Sequence, residues 1–273
     1  MDAKLHRRVQ RYGWDLAAQR YGPLWCRQLS PMHERVLARA GLRPGERVLD
    51  AACGTGVVAL AAAVQVSLLG EVRGIDLSGQ MVEEAQAAAW DRSVTNASFE
   101  RMDAEGLRFA PGSFDVVLCS LGLMYMPHPD VALREFARVL RPGGILVASV
   151  WGERARCGWA EVFPIVDAEV QGEVCPLFFS LGQGESLAWH CSNAGLDLTQ
   201  KERLRDWLEF EDDEAACGAA FVGGPAALAW SRFDAAVRDR VCTRYREAIA
   251  RWRRGNGYRL PGEFVIVTAR KRG

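Results

Sequence analysis

The chain has 273 residues, 49% of them hydrophobic and 25% charged, enough for one large α/β domain with an insertion or for two small domains. Its 34 Lys and Arg balance 34 Asp and Glu, so no global field draws it to nucleic acid or to an acidic surface, and a small or apolar substrate fits better. No run of about 18 apolar residues occurs, which argues against a membrane span. The basic start, Met1 to Arg11, lacks the apolar stretch of a signal peptide, so a cytoplasmic protein is expected.

In chain order, residues 1–29 carry Tyr12, Trp14, Tyr21 and Trp25 among arginines, a pattern that a helix packing its aromatics on the domain would produce. Ser30-Pro31 reads as an N-cap with proline at N1, and Gly41 closes the short helix that follows. Val48-Leu49 reads as the end of a buried strand. In Asp50-Ala51-Ala52-Cys53-Gly54-Thr55-Gly56 the glycines allow a tight turn and close approach to a ligand, and Val57 to Val66 continues as a helix.

Such a junction aims free N–H groups and the positive end of a helix at whatever sits above the sheet, which suits a nucleotide-like ligand. The spacing is not the G-x-G-x-x-G of the dinucleotide fingerprint, and no Gly-Lys-Ser/Thr follows, which excludes a P-loop. The stretch resembles motif I of the class I S-adenosylmethionine (SAM)-dependent methyltransferases, Asp-x-x-Cys-Gly-Thr-Gly. That resemblance implies a Rossmann-like α/β fold and SAM as cofactor.

Glu71 to Leu77 reads as a second strand ending at Asp76, about twenty residues beyond Gly56, where a carboxylate can accept both ribose hydroxyls of an adenosine. Ser78 caps a helix whose apolar stripe includes Met81, Val82, Ala85 and Ala89. After a third strand, Phe99 to Met102, come Asp103 and Ala104. In the family the acid at this place accepts from the adenine amino group while its neighbours flank the ring. Ser113 to Ser120 is a fourth, continuously apolar strand, Gly122 to Pro129 a loop, and Asp130 opens a helix with Leu133, Phe136, Ala137 and Leu140 on one face.

Arg141-Pro142-Gly143-Gly144 stops that helix, and Ile145 to Trp151 makes a fifth strand. The run Leu133-Arg-Glu-Phe-Ala-Arg-Val-Leu-Arg-Pro-Gly-Gly144 is similar to the corresponding stretch of the ubiquinone/menaquinone-type C-methyltransferases and their small-molecule relatives, and the resemblance covers about residues 48–151 in order. It implies cofactor contacts from Asp50, Ala52, Cys53, Gly54, Gly56, Asp76, Leu77, Met81, Asp103, Ala104 and Ser120. In such enzymes a segment like Trp14-Asp15-x-x-Ala18-x-x-Tyr21 folds over the cofactor, which makes Trp14 and Tyr21 candidate pocket residues.

Past Trp151, residues 152–185 read as a loop-rich insertion above the carboxyl ends of the strands, holding Trp159, Phe163, Phe178 and Phe179. Glu185 to Asn193 is a helix, Leu196 to Phe210 contains a sixth strand, and Asp212 to Trp252 is helical with Val237, Val241, Tyr245, Ala248 and Trp252 on one face. Glu263 to Arg270 is the last strand, which the family inserts antiparallel beside the fifth and sixth. The expected architecture is a seven-stranded mixed sheet with helices on both faces and a helical lid. Its parts are a cap (1–45), a core (46–151, 186–210 and 257–273) and lid segments (152–185 and 211–256).

Methyl transfer from a sulfonium needs near-attack geometry and exclusion of water more than a strong catalytic signature. Candidates near the acceptor are Tyr125 and His128 on the loop after the fourth strand, both as pocket or base residues, and His190. Trp14, Tyr21, Trp151, Phe178 and Phe179 can form an aromatic enclosure for a sulfonium and a planar acceptor.

The expected function is therefore methyl transfer from SAM to a small organic molecule, with carbon or oxygen as acceptor, and a homodimer would be unsurprising. Two readings stay open beside it: a SAM-binding protein of this fold that transfers no methyl, and an arsenite methyltransferase using Cys26, Cys157 and Cys175. A nicotinamide dehydrogenase is disfavoured by the glycine spacing. The eight cysteines never take C-x-x-C spacing, and no metal is expected.

Overall fold

The computed structural model describes residues 2–172 and 174–273; Met1 and Glu173, within the expected cap and first lid segment, lie outside them. The polypeptide starts with α1 (Ala3–Ala40) and alternates through β1 (Arg47–Ala51), α2 (Val57–Val66), β2 (Glu71–Asp76), α3 (Gly79–Asp91), β3 (Ala97–Arg101), β4 (Phe114–Ser120), α4 (Pro129–Val139) and β5 (Leu140–Trp151). Then come α5 (Val162–Val170), α6 (Ser186–Asn193), β6 (Leu196–Phe210), α7 (Asp213–Cys217), α8 (Ala227–Arg232), α9 (Ala235–Ile249), β7 (Arg253–Arg254) and β8 (Gly257–Lys271).

The sheet runs in the order β3-β2-β1-β4-β5-β8-β6, with the two-residue β7 folded onto β8. Strands β1 to β5 pair parallel, whereas β8 lies antiparallel between β5 and β6, as expected. Strand order reverses between β1 and β4. Right-handed crossovers therefore put α2 and α3 on one face and α4 on the other, and leave a crevice above the carboxyl ends of β1 and β4. Val48, Leu49, Val116, Val117, Leu118, Leu146 and Val147 are almost completely buried, the pattern of parallel strands covered on both sides.

Three expectations need correction. Ser30 does not start a helix: α1 is one 38-residue helix that passes through Pro23 and Pro31 and ends at Gly41, whose φ is 56° and whose N–H reaches Leu37 O at 3.2 Å. Each internal proline costs about 3 kcal/mol, and the burial of Trp25, Leu29, Met32, Val36 and Leu37 across both of them offsets that cost. The Arg141–Gly144 segment does not precede the strand but lies inside it, as a bulge between the Phe114–Leu140 and Val116–Ile145 pairs.

The loop-rich 152–185 insertion contains α5. The helical residues 212–252 fall into separate helices: Gly223, Gly224 and Pro225 interrupt the run before α8, and Asp234 caps α9 afresh. The last strand also begins six residues earlier than Glu263, at Gly257, and pairs with β6 along nearly its whole length. Pro261 hides that extension in the sequence. It is tolerated because β5 pairs only with 264–270, which leaves one edge of β8 free at the proline.

Candidate active site

The carboxyl end of β1 builds the floor of a cleft. Ala52, Gly54 and Gly56 all take left-handed backbone conformations (φ 57°, 54° and 81°), which turns the chain sharply into α2. At Gly54 nothing lies within 4 Å of where a Cβ would stand, so the backbone is open to a ligand, whereas at Gly56 a Cβ would meet Ala85 at 3.0 Å and the Phe99 ring at 3.2 Å. Gly54 thus serves access and Gly56 serves close packing. The non-glycine residues Ala52 and Leu121 (φ 56°), just past the ends of β1 and β4, both line the cleft, where such strain is commonly held.

Asp76 at the tip of β2 faces this turn. Its Oδ2 accepts from Gly54 N and its Oδ1 from Ser78 N, both at 2.9 Å. Burial pushes its carboxyl up to about 6, against the N–H groups of Ser78, Gly54 and Leu77 that favour the ionised form. Behind it Asp50 is 1% exposed, its Oδ2 lacks a partner, and burial followed by repulsion from Asp76 pushes it up to about 8.

At pH 7 the folded protein therefore holds Asp50 protonated, while in the unfolded chain it is ionised above about pH 4. The stability of the ligand-free protein falls, on account of this group, as pH rises from about 4 to about 8, by on the order of 1 kcal/mol per pH unit. Asp50→Asn removes that dependence. Urea unfolding of both proteins between pH 5 and pH 8 should show the variant gaining on the parent as pH rises; parallel curves would dismiss a protonated Asp50.

The second wall is α1. Arg7, Gln10, Trp14, Tyr21, Trp25 and Leu29 recur at helical spacing and all line the cleft, which holds about 990 Å³ of empty space including its mouth. Three ties hold the first half of the helix over the site. His6 Nε2 lies 3.0 Å from Tyr125 O, Arg7 pairs with Glu105 and, through Nε at 2.9 Å, with Asp103, and Asp15 accepts from Ser78 Oγ at 2.6 Å. Glu105 also accepts from His128 N at 3.0 Å, so the loops after β3 and β4 are fastened to the same point.

Beyond the floor the cleft becomes aromatic. Trp14 stands edge-on to Tyr21 (5.6 Å) and Tyr125 (5.0 Å), and Trp25, Trp151 and Trp159 pack on one another at 4.9–6.2 Å. Burial raises the hydroxyl pKa of Tyr21 and Tyr125 above the ordinary tyrosine range. Trp25 donates to Ala219 O at 3.1 Å, but Trp159, 1% exposed, has no partner for its Nε1–H.

Of the residues singled out in the sequence, Ala52, Gly54, Asp76, Leu77, Met81, Asp103, Ala104 and Ser120 line the floor of this cleft, and Trp14, Tyr21, Tyr125 and Trp151 its aromatic end. Asp50, Cys53 and Gly56 are placed behind the floor. Phe178 and Phe179 stand one layer further out, Phe178 packing edge-on against Tyr125 (5.3 Å) and Trp159 (5.6 Å). His128 is exposed as the residue before α4, and His190 sits on α6 beside Trp189; neither lines the cleft.

Sequence reasoning missed Arg7, Gln10, Glu105, Gly224 and Pro225 as walls, and used Trp25 and Trp159 only as packing residues. The i, i+3, i+7 spacing of Arg7, Gln10 and Trp14 carried a signal for the helix face; nothing local signalled Gly224. Cys157 donates to Glu263 O at 3.7 Å, and Cys175 accepts from Gln10 at 3.8 Å. Among the described residues no group of three His, Cys, Asp or Glu side chains is placed to hold a metal ion, so the Cys26, Cys157 and Cys175 trio does not assemble.

A family described as "Methyltransferase domain" matches residues 48–144. Demethylmenaquinone methyltransferase of Staphylococcus aureus (strain MRSA252) is 33% identical over 197 residues, covering 71% of this chain and 79% of that protein. Aklanonic acid methyltransferase DauC of Streptomyces sp. (strain C5) is 37% identical over 131 residues, 48% of this chain and 60% of the relative. Among solved structures the [4+2]-cyclase SpnF superposes with a TM-score of 0.61 at 26% identity over 91% of this chain and 82% of its own. A methyltransferase-fold protein from Bacillus halodurans C-125 superposes with a TM-score of 0.63 at 21% identity over 88% and 99%, a likeness of fold alone.

Proposed function

Because this chain belongs to the small-molecule SAM-dependent methyltransferases, we propose that the floor of its cleft takes the cofactor and the aromatic end takes a flat, oxygen-bearing ring as acceptor. The residues present fit the cofactor. Asp76 is the acceptor for the ribose hydroxyls, Asp103 for the adenine amino group, and Leu77, Met81, Met102 and Ala104 make an apolar slot for the purine. SAM supplies an electrophilic methyl group on a sulfonium.

What the chain itself contributes is exclusion of water and orientation of the acceptor between Trp14, Tyr21, Trp25, Tyr125, Trp151 and Trp159. Among the described residues no imidazole or amine lines this end, and burial keeps both tyrosines protonated, so the nucleophile is an acceptor that ionises by itself, a phenol or an enol, reacting through oxygen or carbon. Tyr125 acts here as a hydroxyl donor to the acceptor, not as a base. The cap and both lid segments supply walls, through Arg7, Trp159 and Gly224, which supports reading them as one enclosure. The relatives named above act on demethylmenaquinone and aklanonic acid, and their being methyltransferases favours transfer over cofactor binding without transfer.

The observation that carries the acceptor class is Trp159. Its ring, packed by Trp25, Trp151, Phe163, Phe178 and Phe179, also lines the cleft, and its buried Nε1–H has no partner within the protein, so an oxygen on the acceptor is the partner we assign to it. With 1,4-dihydroxynaphthalene as acceptor, Trp159→Phe should lower kcat/KM about tenfold while leaving the affinity for S-adenosylhomocysteine unchanged. An unchanged kcat/KM would remove Trp159 as the donor and with it the argument for an oxygenated ring.

A further inference from the structure

Helix α1 has a second face, turned away from the cleft. Leu5, Tyr12 and Leu16, at i, i+7 and i+11, stand 39%, 47% and 50% exposed on the side opposite Gln10 and Trp14. The stretch from Ala3 to Leu29 carries six Lys and Arg against a single acid, Asp15, in a chain that is otherwise balanced. Asp15 is engaged with Ser78, and Arg7 is turned inward to Asp103 and Glu105. Lys4, Arg8, Arg11 and Arg20 have no carboxylate partner among the described residues.

These cations do not point at random. Lys4, Arg8 and Arg11 line a shallow groove with Arg101 from the end of β3, where Asp2 is the one acid, and the groove meets the cofactor cleft at Arg7 and Leu77. The Arg11 guanidinium lies 4.5 Å from the centre of the Tyr12 ring. An apolar stripe flanked by unpaired cations on a helix is the arrangement of segments that lie in a membrane interface. No helix of the described residues is long and apolar enough to cross a membrane, so the contact would be to the surface only.

We propose that this face of α1 seats on an anionic lipid surface, with Leu5, Tyr12 and Leu16 in the interfacial layer and Lys4, Arg8, Arg11 and Arg101 on lipid phosphates. Charge selects this occupant: a second copy of the chain would set cation against cation, whereas anionic headgroups meet the groove and acyl chains meet the stripe. Since the same helix walls the cleft, seating brings the mouth of the site to the bilayer, so that an apolar acceptor enters without crossing water. That consequence rests on the acceptor reading above; the seating itself does not.

The experiment is co-sedimentation of the whole protein with vesicles of phosphatidylcholine alone and of phosphatidylcholine with one third phosphatidylglycerol, at low and high salt. We expect binding to the anionic vesicles only, weakening with salt, and lowered at least roughly tenfold both by R8E/R11E and by Y12S/L16S. Calorimetric titration with S-adenosylhomocysteine, run on all three proteins, is expected to give one affinity, which shows that the variants are folded. No partition into anionic vesicles, partition that ignores headgroup charge, or partition that survives R8E/R11E overturns the proposal. Retention by a soluble acidic protein without vesicle binding overturns it as well. Failure of the parent protein to bind S-adenosylhomocysteine would strike the cofactor reading instead and leave the vesicle result to stand by itself.

Discussion

Replacing Asp76 by alanine should raise the dissociation constant for SAM about a hundredfold. A buried carboxylate that accepts from two hydroxyls contributes about 1.5–3 kcal/mol per charge-assisted bond, and about 1.4 kcal/mol is a factor of ten. The same carboxylate accepts from Gly54 N and Ser78 N, so its loss also loosens the turn that shapes the floor. Removing it relieves a group that burial penalises, so the ligand-free variant should unfold close to the parent's temperature.

Calorimetry with SAM and S-adenosylhomocysteine measures the first effect and thermal unfolding the second. A variant that binds SAM within threefold of the parent would show that the ribose is held elsewhere. The pH dependence has a definite sign. The cofactor prefers the ionised carboxyl, which in the free protein titrates near 6, so affinity should be level above pH 7 and fall, approaching tenfold per unit, as pH drops below 6. In Asp76→Ala that fall should be absent.

The other large effect is on stability, at Glu263. This side chain, 2% exposed at the start of the β5-paired part of β8, accepts from Arg203 Nη1 at 2.9 Å, Arg205 Nε at 3.0 Å and Glu153 N at 3.2 Å. Arg203 in turn donates to Gly182 O and Gly184 O, and Gly152 N donates to Glu263 O at 2.6 Å. The insertion that carries Trp159 is thereby anchored to the sheet at both of its ends.

Glu263→Ala leaves Arg203, partly buried, with only the more distant Glu153 carboxylate at 4.0 Å and should cost about 3 kcal/mol, or roughly 8 °C in unfolding temperature. Burial alone would raise the Glu263 carboxyl, but the Glu153 N–H and the Arg205 and Arg203 guanidinium groups hold it below the ordinary range. Its stabilisation is thus complete above the unfolded value of about 4.3 and is lost as pH falls through the lower folded value. Glu263→Gln should be less stable than the parent at pH 7 and indistinguishable from it in strong acid. Equal unfolding temperatures at pH 7 would mean that the cluster is solvated and idle.

These two sites differ in how far the sequence announced them. Asp76 was legible because its position follows from local facts: a strand of buried β-branched residues, a glycine turn before it and a serine cap after it. Each of those acts within a few residues, so the run from Val48 to Trp151 carries its own backbone and the floor of the cleft. Glu263 looked like the start of a strand, and only the antiparallel pairing with β6 shows that it lies in mid-strand with two arginines opposite.

By itself, then, the sequence determined the strands and helices of the parallel half of the sheet, because short-range periodicity and turn chemistry suffice for them, while the antiparallel place of the last strand and the expected role of Asp103 came from the family resemblance. The tertiary structure alone decided the aromatic end of the cleft. Continuity of α1 through Pro23 and Pro31 depends on burial against elements more than a hundred residues away, and that continuity is what puts Arg7, Gln10 and Trp14 on one wall. Trp159 and Gly224 reach the same cleft from separate lid segments, and His128, adjacent to the cleft in sequence, is turned out of it by the start of α4. Such placements are sums of long-range contacts, each too weak to mark a residue in the chain and together strong enough to fix the wall.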